Sequence, residues 1–235
     1  MYSAWDMPDR RRGIAVAKEA LRLSPLCADA FVLLAEESAR DPLKLSSSID
    51  RGGSRRARPR ASAVQRGYRP RLGLLETRPY MRARSGLAQG LWTVGRVDEA
   101  IGHCRELLRL NPNDNQGNRY MLAECLLKLD REDEVAALID SYGKEWSTEF
   151  SYTAALLAFR RHGDAAEART LLRRAVNVNG YVPTYLLGRK RLPRKLPPYI
   201  TLGGEDEAQE CARRYGPCWA GTTAALQWLT GNTEG

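Results

Sequence analysis

Few residues in this chain have the types and spacing that enzymatic catalysis requires. The 235-residue sequence contains two histidines, His103 and His162, which fall in separate helix-like runs. Cys104 follows His103 directly, but neighbouring residues on a helix point in different directions, so the two do not form a nucleophile–base pair. The sequence also lacks the GxxxxGKS/T, GxSxG and HExxH motifs of phosphate binding, serine hydrolysis and zinc catalysis. We therefore predict that the protein is not an enzyme and that it has no catalytic residue, metal or cofactor.

The cysteines favour a structural interpretation. The five cysteines are Cys27, Cys104, Cys125, Cys211 and Cys218. They are odd in number and scattered along the chain, and three of them fall on apolar helix faces. This usage suits free, buried thiols in a reducing compartment. A Cys211–Cys218 disulfide or half of a metal site stays open as an alternative, although no CxxC or HxxxH lies nearby.

Most of the positive charge lies in one stretch. The chain carries a formal net charge of +9, and residues 43–72 hold nine Lys or Arg against the single acid Asp50. That segment is therefore +8, which leaves about +1 for all other residues. The basicity belongs to a local segment and does not describe a whole face of the protein.

The Arg-rich segment, residues 42–72, has no helical period and is rich in Ser, Gly and Arg. Three interpretations stay open. It is a disordered insertion, an arm that binds nucleic acid or an acidic partner, or the product of a locally shifted reading frame. The arm hypothesis assigns phosphate contacts to four cations at the centre of the segment: Arg55, Arg56, Arg58 and Arg60.

Turn residues recur at a nearly fixed interval. Gly95, Asp130 and Gly163 each end a helix-like run, and the spacings of 35 and 33 are close to the period of tetratricopeptide repeats. Each turn is followed by a second amphipathic run, and acids such as Asp98 and Glu99 begin it where the helix dipole favours them. Asn113 or Asp114 is expected to cap the helix that follows the first pair.

Apolar residues at helical spacing define the predicted core of three successive units. The positions are Leu87, Ala88, Leu91, Ala100, Cys104 and Leu107; Leu122, Ala123, Leu126, Val135 and Ile139; and Tyr152, Leu156, Phe159, Ala168, Leu172 and Ala175. Paired helices of this kind cannot bury their apolar faces alone and must stack. We predict an all-α, right-handed helical-repeat solenoid with a C-terminal capping segment and an irregular Arg-rich insertion.

The predicted organisation has five parts. They are N-terminal repeat helices at 1–41, the Arg-rich segment at 42–72, repeats at 73–180, a basic Pro-rich connector at 181–204 and capping helices at 205–235. No apolar run approaches the length of a membrane helix, and residues 1–12 resemble no secretory signal. These features predict a cytoplasmic protein without a membrane span.

The function predicted from the repeats is non-enzymatic scaffolding of a protein or peptide partner. In such solenoids, the first helix of each unit contributes side chains to a concave wall. The wall positions that we predict to bind the partner are Arg82, Gln89, Tyr120, Glu124, Thr153, Leu157 and Arg160. Binding of nucleic acid or an acidic partner through residues 44–71 is the alternative.

Four stretches of the chain resemble the suppression-of-tumorigenicity-seven family. They are CADAFVLLAEE at 27–37, SYTAALLAFR at 151–160, YVPTYLLGRKRLP at 181–193, and the ending at 205–229, where a DEAQ helix leads to a Trp-containing one. The resemblance implies helical repeats and no known catalysis, and it transfers no catalytic residue. Animal members of the family look like multi-span membrane proteins. This chain lacks their membrane segments, so it looks like a soluble, bacterial-type relative.

Overall fold

All regular secondary structure in the described part of the chain is helical. The computed structural model describes residues 9–23, 30, 78–143, 147–195 and 199–233, and within them it has helices and no strand. This confirms the all-α class, while the Arg-rich segment 42–72 lies outside the described residues. The helices, in chain order, are α1 (Arg10–Leu23), α2 (Arg78–Thr93), α3 (Val97–Leu110), α4 (Asn118–Lys128), α5 (Glu132–Ser141), α6 (Thr148–His162), α7 (Ala166–Val178), α8 (Val182–Leu186), α9 (Glu205–Gly221) and α10 (Ala225–Thr233).

The chain forms two compact units, Met1–Cys125 and Leu126–Gly235. In the first unit, α2 and α3 pack extensively against each other. The Ser85 hydroxyl donates a 2.8 Å hydrogen bond to Asn118 Oδ1 and so ties α2 to the start of α4. Asp114 accepts the backbone N–H groups of Asn118 and Arg119, at 2.9 and 2.8 Å, which confirms it as the predicted cap of α4.

In the second unit, α6 is the central helix. It packs extensively against α7 and also contacts α5 and α9, and α8 and α10 in turn contact α9. Tyr152, Leu156, Trp219 and Leu229 are completely or almost completely buried and form the core of this unit. The segment predicted as capping helices therefore folds as α9 and α10, and α9 covers one side of α6.

The predicted turns have the backbone geometry that their residue types favour. Gly95, Asp130 and Gly163 all adopt positive φ angles of 80°, 52° and 63°. Directly after Gly95, the backbone N–H of Arg96 donates a 2.9 Å hydrogen bond to the Leu91 carbonyl, five residues earlier. Directly after Asp130, the N–H of Arg131 donates to the Leu126 carbonyl in the same way, also at 2.9 Å. Such left-handed residues close helices by satisfying their last carbonyls. The first two turns repeat each other across 35 positions of sequence.

The predicted core stripes are largely confirmed. All of the predicted core positions are buried except Leu87, Ile139 and Phe159, which are half-buried. The segment 181–204 differs from a plain connector because residues Val182–Leu186 form the short helix α8, with Pro183 in its first turn. Proline suits that position because the first turn of a helix does not use its N–H groups internally.

Candidate binding groove

The predicted wall positions of the first unit lie on α2 and α4. Gln89 is exposed, and Arg82, Tyr120 and Glu124 are half-buried. The guanidinium of Arg119 lies 4.3 Å from the centre of the Tyr120 ring and donates a 2.8 Å hydrogen bond to its hydroxyl. The Tyr120 side chain is thus fixed in place by its own neighbour.

The predicted wall positions of the second unit all lie on α6. Thr153 and Leu157 are buried among residues of this unit, whereas Arg160 is partly accessible near the helix end. Arg55, Arg56, Arg58 and Arg60 lie outside the described residues. No finding tests whether these residues bind a partner, so their roles stay predictions.

An open groove lies beside the C-terminal end of α6, where the sequence predicted core, a turn and the wall position Arg160. One stretch of it has a volume of about 670 Å³ and extends from Phe159 and Gly163 to Trp228 and Asn232 on α10. A second stretch, of about 470 Å³, shares Phe159 and Gly163 and extends to Asp130 in the α4–α5 turn. We call these two stretches together the α6 groove.

Phe159 and Trp228 line the α6 groove, and two further aromatic rings pack behind them. Phe159 stacks on Trp228 with the ring centres 4.5 Å apart. Trp228 in turn stacks on Trp219 at 6.3 Å, and Trp219 meets the edge of Tyr152 at 6.4 Å. Offset and edge contacts of this kind rigidify aromatic clusters. Since Phe159 is half-buried, it offers apolar surface to the groove from a fixed position.

Asp164 and Arg169 form one end of the groove. The Trp228 Nε1–H donates a 2.7 Å hydrogen bond to Asp164, and Arg169 pairs with both oxygens of the same carboxylate. These hydrogen bonds, from Arg169 first and then Trp228, lower the pKa of Asp164. The carboxylate therefore stays ionised at neutral pH and fixes the indole ring of Trp228.

Arg160 joins three elements at the other end of the groove. Its guanidinium donates to Thr222 Oγ1 at 2.8 Å, to Asp130 at 3.2 Å and to the Cys218 carbonyl at 3.4 Å. Asp130 is 82% exposed, so this end of the groove keeps a solvent-facing carboxylate. Charged side chains of both signs therefore line the rim over an apolar floor.

A buried polar network lies at the opposite, N-terminal end of α6. Glu207 on α9 is 4% exposed, and its Oε2 accepts hydrogen bonds from the Thr148 hydroxyl at 2.7 Å and the Gly203 backbone N–H at 2.8 Å. The Asn179 amide donates to the same oxygen at 3.3 Å, and the Tyr152 hydroxyl donates to the Asn179 carbonyl at 2.7 Å. Buried carboxylates are stable only when donors compensate their lost hydration.

Glu149 lies next to this network and titrates abnormally. Burial raises the pKa of Glu149 to about 7, and the nearby charges of Glu207 and Glu210 act in the same direction. Burial likewise raises the pKa of the Cys211 thiol, with the Glu149 and Glu207 charges adding to the effect. A thiol in such surroundings stays protonated and is a poor nucleophile.

Glu207 lies in the first turn of α9, where the helix dipole alone would favour an acid. The sequence does contain one sign that Glu207 is buried. It lies on the same helix face as Cys211, Tyr215 and Trp219, at successive four-residue steps. A carboxylate on an apolar stripe is expected to have buried partners. Those partners come from α6 and from the segment after α7, which the spacing alone did not identify.

The cysteine and histidine side chains form no disulfide and no metal-binding group among the described residues. Cys104, Cys125, Cys211 and Cys218 are free thiols, so Cys211 and Cys218 form no disulfide. Burial lowers the pKa of His103, and the Arg84 charge adds to the effect. Among the residues that the structure describes, no group of His, Cys, Asp and Glu side chains could hold a metal ion. No helix within those same residues is long and apolar enough to span a bilayer.

The described residues therefore belong to an all-helical protein with packed helix pairs and an open groove beside α6. The chain belongs to the family described as ST7 protein, whose model matches residues 1–234. This confirms the family resemblance that the sequence stretches indicated.

The relatives in this family are longer than the present chain. It is 31% identical over 259 residues to the rat "Suppressor of tumorigenicity 7 protein-like", a match that covers all of this chain and 46% of that protein. The human protein of the same description is 31% identical over 267 residues, covering all of this chain and 45% of the human protein. "Protein ST7 homolog" of Caenorhabditis elegans is 29% identical over 273 residues, covering 98% of this chain and 49% of that protein.

The chain therefore spans about half the length of these curated relatives. All three are animal proteins, so they give no support to a bacterial type. No solved structure matches the chain.

Proposed function

We propose that the protein is a non-enzymatic scaffold that binds a peptide or protein on a right-handed, tetratricopeptide-like solenoid in the cytoplasm. The matching turns at Gly95 and Asp130 support the repeat character, because both close a helix with the same hydrogen bond. Repeats of paired helices present extended surfaces to partners.

The α6 groove is the observation that carries this proposal. It is open along its length, and its floor is apolar at Phe159, which two stretches of the groove share. Grooves with a rigid aromatic floor and a polar rim suit short peptides, because the anchor pocket supplies affinity and the rim supplies orientation. Of the predicted wall residues, Arg160 borders this groove, and Gln89 offers an exposed contact in the first unit.

The charges at the rim indicate the chemistry of the ligand. Asp130 is 82% exposed and accepts one 3.2 Å hydrogen bond from Arg160, whose other donors reach Thr222 and the Cys218 carbonyl. The groove is therefore proposed to take a peptide with an apolar side chain over Phe159 and a basic residue near Asp130. Charge pairs of this kind fix the register of a bound peptide more than they add affinity.

A peptide-display selection on the full chain, followed by calorimetric titration of the selected peptide, tests the proposal. The variant Phe159→Ala removes the apolar anchor, and we expect it to weaken binding by about tenfold or more. Leu171→Ala is the matched control, because Leu171 is also half-buried but lies on α7 and does not line the groove. Unchanged affinity in Phe159→Ala, or equal loss in both variants, contradicts the proposal.

A further inference from the structure

An exposed patch of the second unit combines cations with large apolar side chains. Within residues 189–195, five of the seven residues are Lys or Arg, and all five side chains are exposed. A few residues further along, Tyr199 is 84%, Ile200 52% and Leu202 87% exposed. We call residues 189–195 and 199–202 the basic–apolar patch. No Asp or Glu occurs between residues 189 and 204.

The first turn of α9 brings both parts of this patch together. The Lys190 ammonium donates to Glu205 at 2.7 Å, and the Thr201 backbone N–H donates to Asp206 at 2.9 Å. Because Glu205 and Asp206 are adjacent, the cationic part and the apolar part lie at the same end of α9. The Arg213 guanidinium also holds the Pro193 carbonyl, which ties the cationic part to α9 a second time.

The two local carboxylates leave most of the positive charge unmatched. Glu205 is occupied by Lys190, and its pKa is lowered first by that hydrogen bond and then by the Tyr185 hydroxyl. Asp206 accepts backbone N–H groups of Thr201 and Glu207. The described structure gives no acidic partner to Arg191, Arg194 and Lys195, and their side chains face solvent.

We propose that the basic–apolar patch binds the surface of an anionic lipid bilayer. A bilayer interface accepts both features, because acyl chains receive aliphatic and aromatic side chains while anionic headgroups attract Lys and Arg. Nucleic acid would neutralise the cations but would leave Ile200 and Leu202 in water. A second copy of the same patch is disfavoured because two identical cationic surfaces repel each other.

Vesicle co-sedimentation of the full chain tests this proposal. The protein is expected to bind vesicles of phosphatidylcholine and phosphatidylserine in about a two-to-one ratio, and to bind pure phosphatidylcholine at least about tenfold more weakly. Added salt should weaken the binding because it screens the headgroup charge.

Two sets of substitutions separate the charged and apolar contributions. Replacement of Arg191, Arg194 and Lys195 by Gln should reduce binding to the anionic vesicles at least about tenfold. Replacement of Tyr199, Ile200 and Leu202 by Ser should also reduce binding and should leave a weaker, more salt-sensitive association. The single change Leu202→Ser offers the same test of the apolar contribution with the smallest perturbation of the fold, because Leu202 is 87% exposed.

The control removes the same number of charges elsewhere. Arg105, Arg173 and Arg174 are exposed on α3 and α7, and their replacement by Gln should leave vesicle binding within about twofold of the original. Equal loss in this control, equal binding to both kinds of vesicle, or full binding by the apolar set overturns the proposal. Binding of a nucleic-acid duplex without any binding of anionic vesicles overturns it as well.

Discussion

The two ends of α6 use polar and aromatic side chains in opposite ways. At the N-terminal end, Thr148 and Glu149 are buried, and Glu207 of α9 joins Thr148 to Asn179 in the segment after α7. At the C-terminal end, Phe159 and Arg160 border an open groove and keep part of their surface accessible. Both ends belong to the same helix, so the difference comes from the side chains and from what packs against them. In our proposal, the buried end serves stability and the open end serves recognition.

The largest expected effect breaks the buried end. Glu207→Ala removes the oxygen that accepts hydrogen bonds from Thr148, Asn179 and the Gly203 backbone. The buried Thr148 hydroxyl then loses its acceptor, whereas the Asn179 amide keeps its 2.9 Å hydrogen bond to the Gly204 carbonyl. We expect the free energy of unfolding to fall by about 3 kcal/mol or more, measured by urea denaturation.

Glu205→Ala is the control for this change, because Glu205 begins the same helix but its side chain is 40% exposed. Its loss should cost less than about 1 kcal/mol. Similar losses in the two variants would show that burial of Glu207 contributes no special stability.

The next prediction concerns how the free energy of unfolding depends on pH through Glu149, at the same end of α6. Because burial raises the pKa of Glu149 from 4.5 to about 7, the unfolded chain releases this proton at lower pH than the native state does. Its contribution to stability is therefore fully present below about pH 4.5 and is lost as the pH rises to about 7. The Glu149→Gln variant should lack this decline, which amounts to about 3 kcal/mol at most.

Unfolding free energies measured from pH 4.5 to 8 test the Glu149 prediction. At pH 8, Glu149→Gln should be more stable than the original chain, since no buried charge has to be accommodated. Glu205→Gln should leave the decline in place, because the pKa of Glu205 is lowered by Lys190 rather than raised. An identical pH profile in Glu149→Gln and the original chain would contradict the assignment.

The smallest expected effect on stability comes from the open end. Asp130→Asn removes the negative charge beside Arg160 and keeps a residue type that tolerates the positive φ of 52°. Asp130 is 82% exposed, and Arg160 keeps its hydrogen bond to Thr222. The unfolding free energy should change by less than about 0.5 kcal/mol. Binding of a selected basic peptide should nevertheless weaken several-fold, because the solvent-facing carboxylate is lost. A large loss of stability, measured by the same urea denaturation, would place Asp130 with the buried end instead.

The sequence predicted the helix pairs and their turns because these depend on local chemistry. Gly95 and Gly163 tolerate positive φ, and the stripes of Ala, Leu and Cys report directly which helix faces are buried. The capping of α4 by Asp114 also depends on local sequence, because Asp114 accepts hydrogen bonds from N–H groups only four and five residues later.

The two ends of α6 could not be predicted in this way because their partners are distant in sequence. Thr148 meets Glu207 across 59 positions, and Asp164 meets the Trp228 indole across 64. Repeat periodicity predicted that α9 and α10 form a cap, but it does not say which of their side chains meet which end of α6. Phe159 was therefore expected in the core, whereas it is half-buried and forms the groove floor.

Hydrogen–deuterium exchange with and without a display-selected peptide tests the contrast between the two ends of α6 most directly. The account predicts new protection at residues 159–164 and 222–232, around the α6 groove, and no change at residues 148–152, where Thr148 is already hydrogen-bonded to the buried Glu207. Protection confined to regions outside 159–164 and 222–232 would contradict the assignment of recognition to the open end.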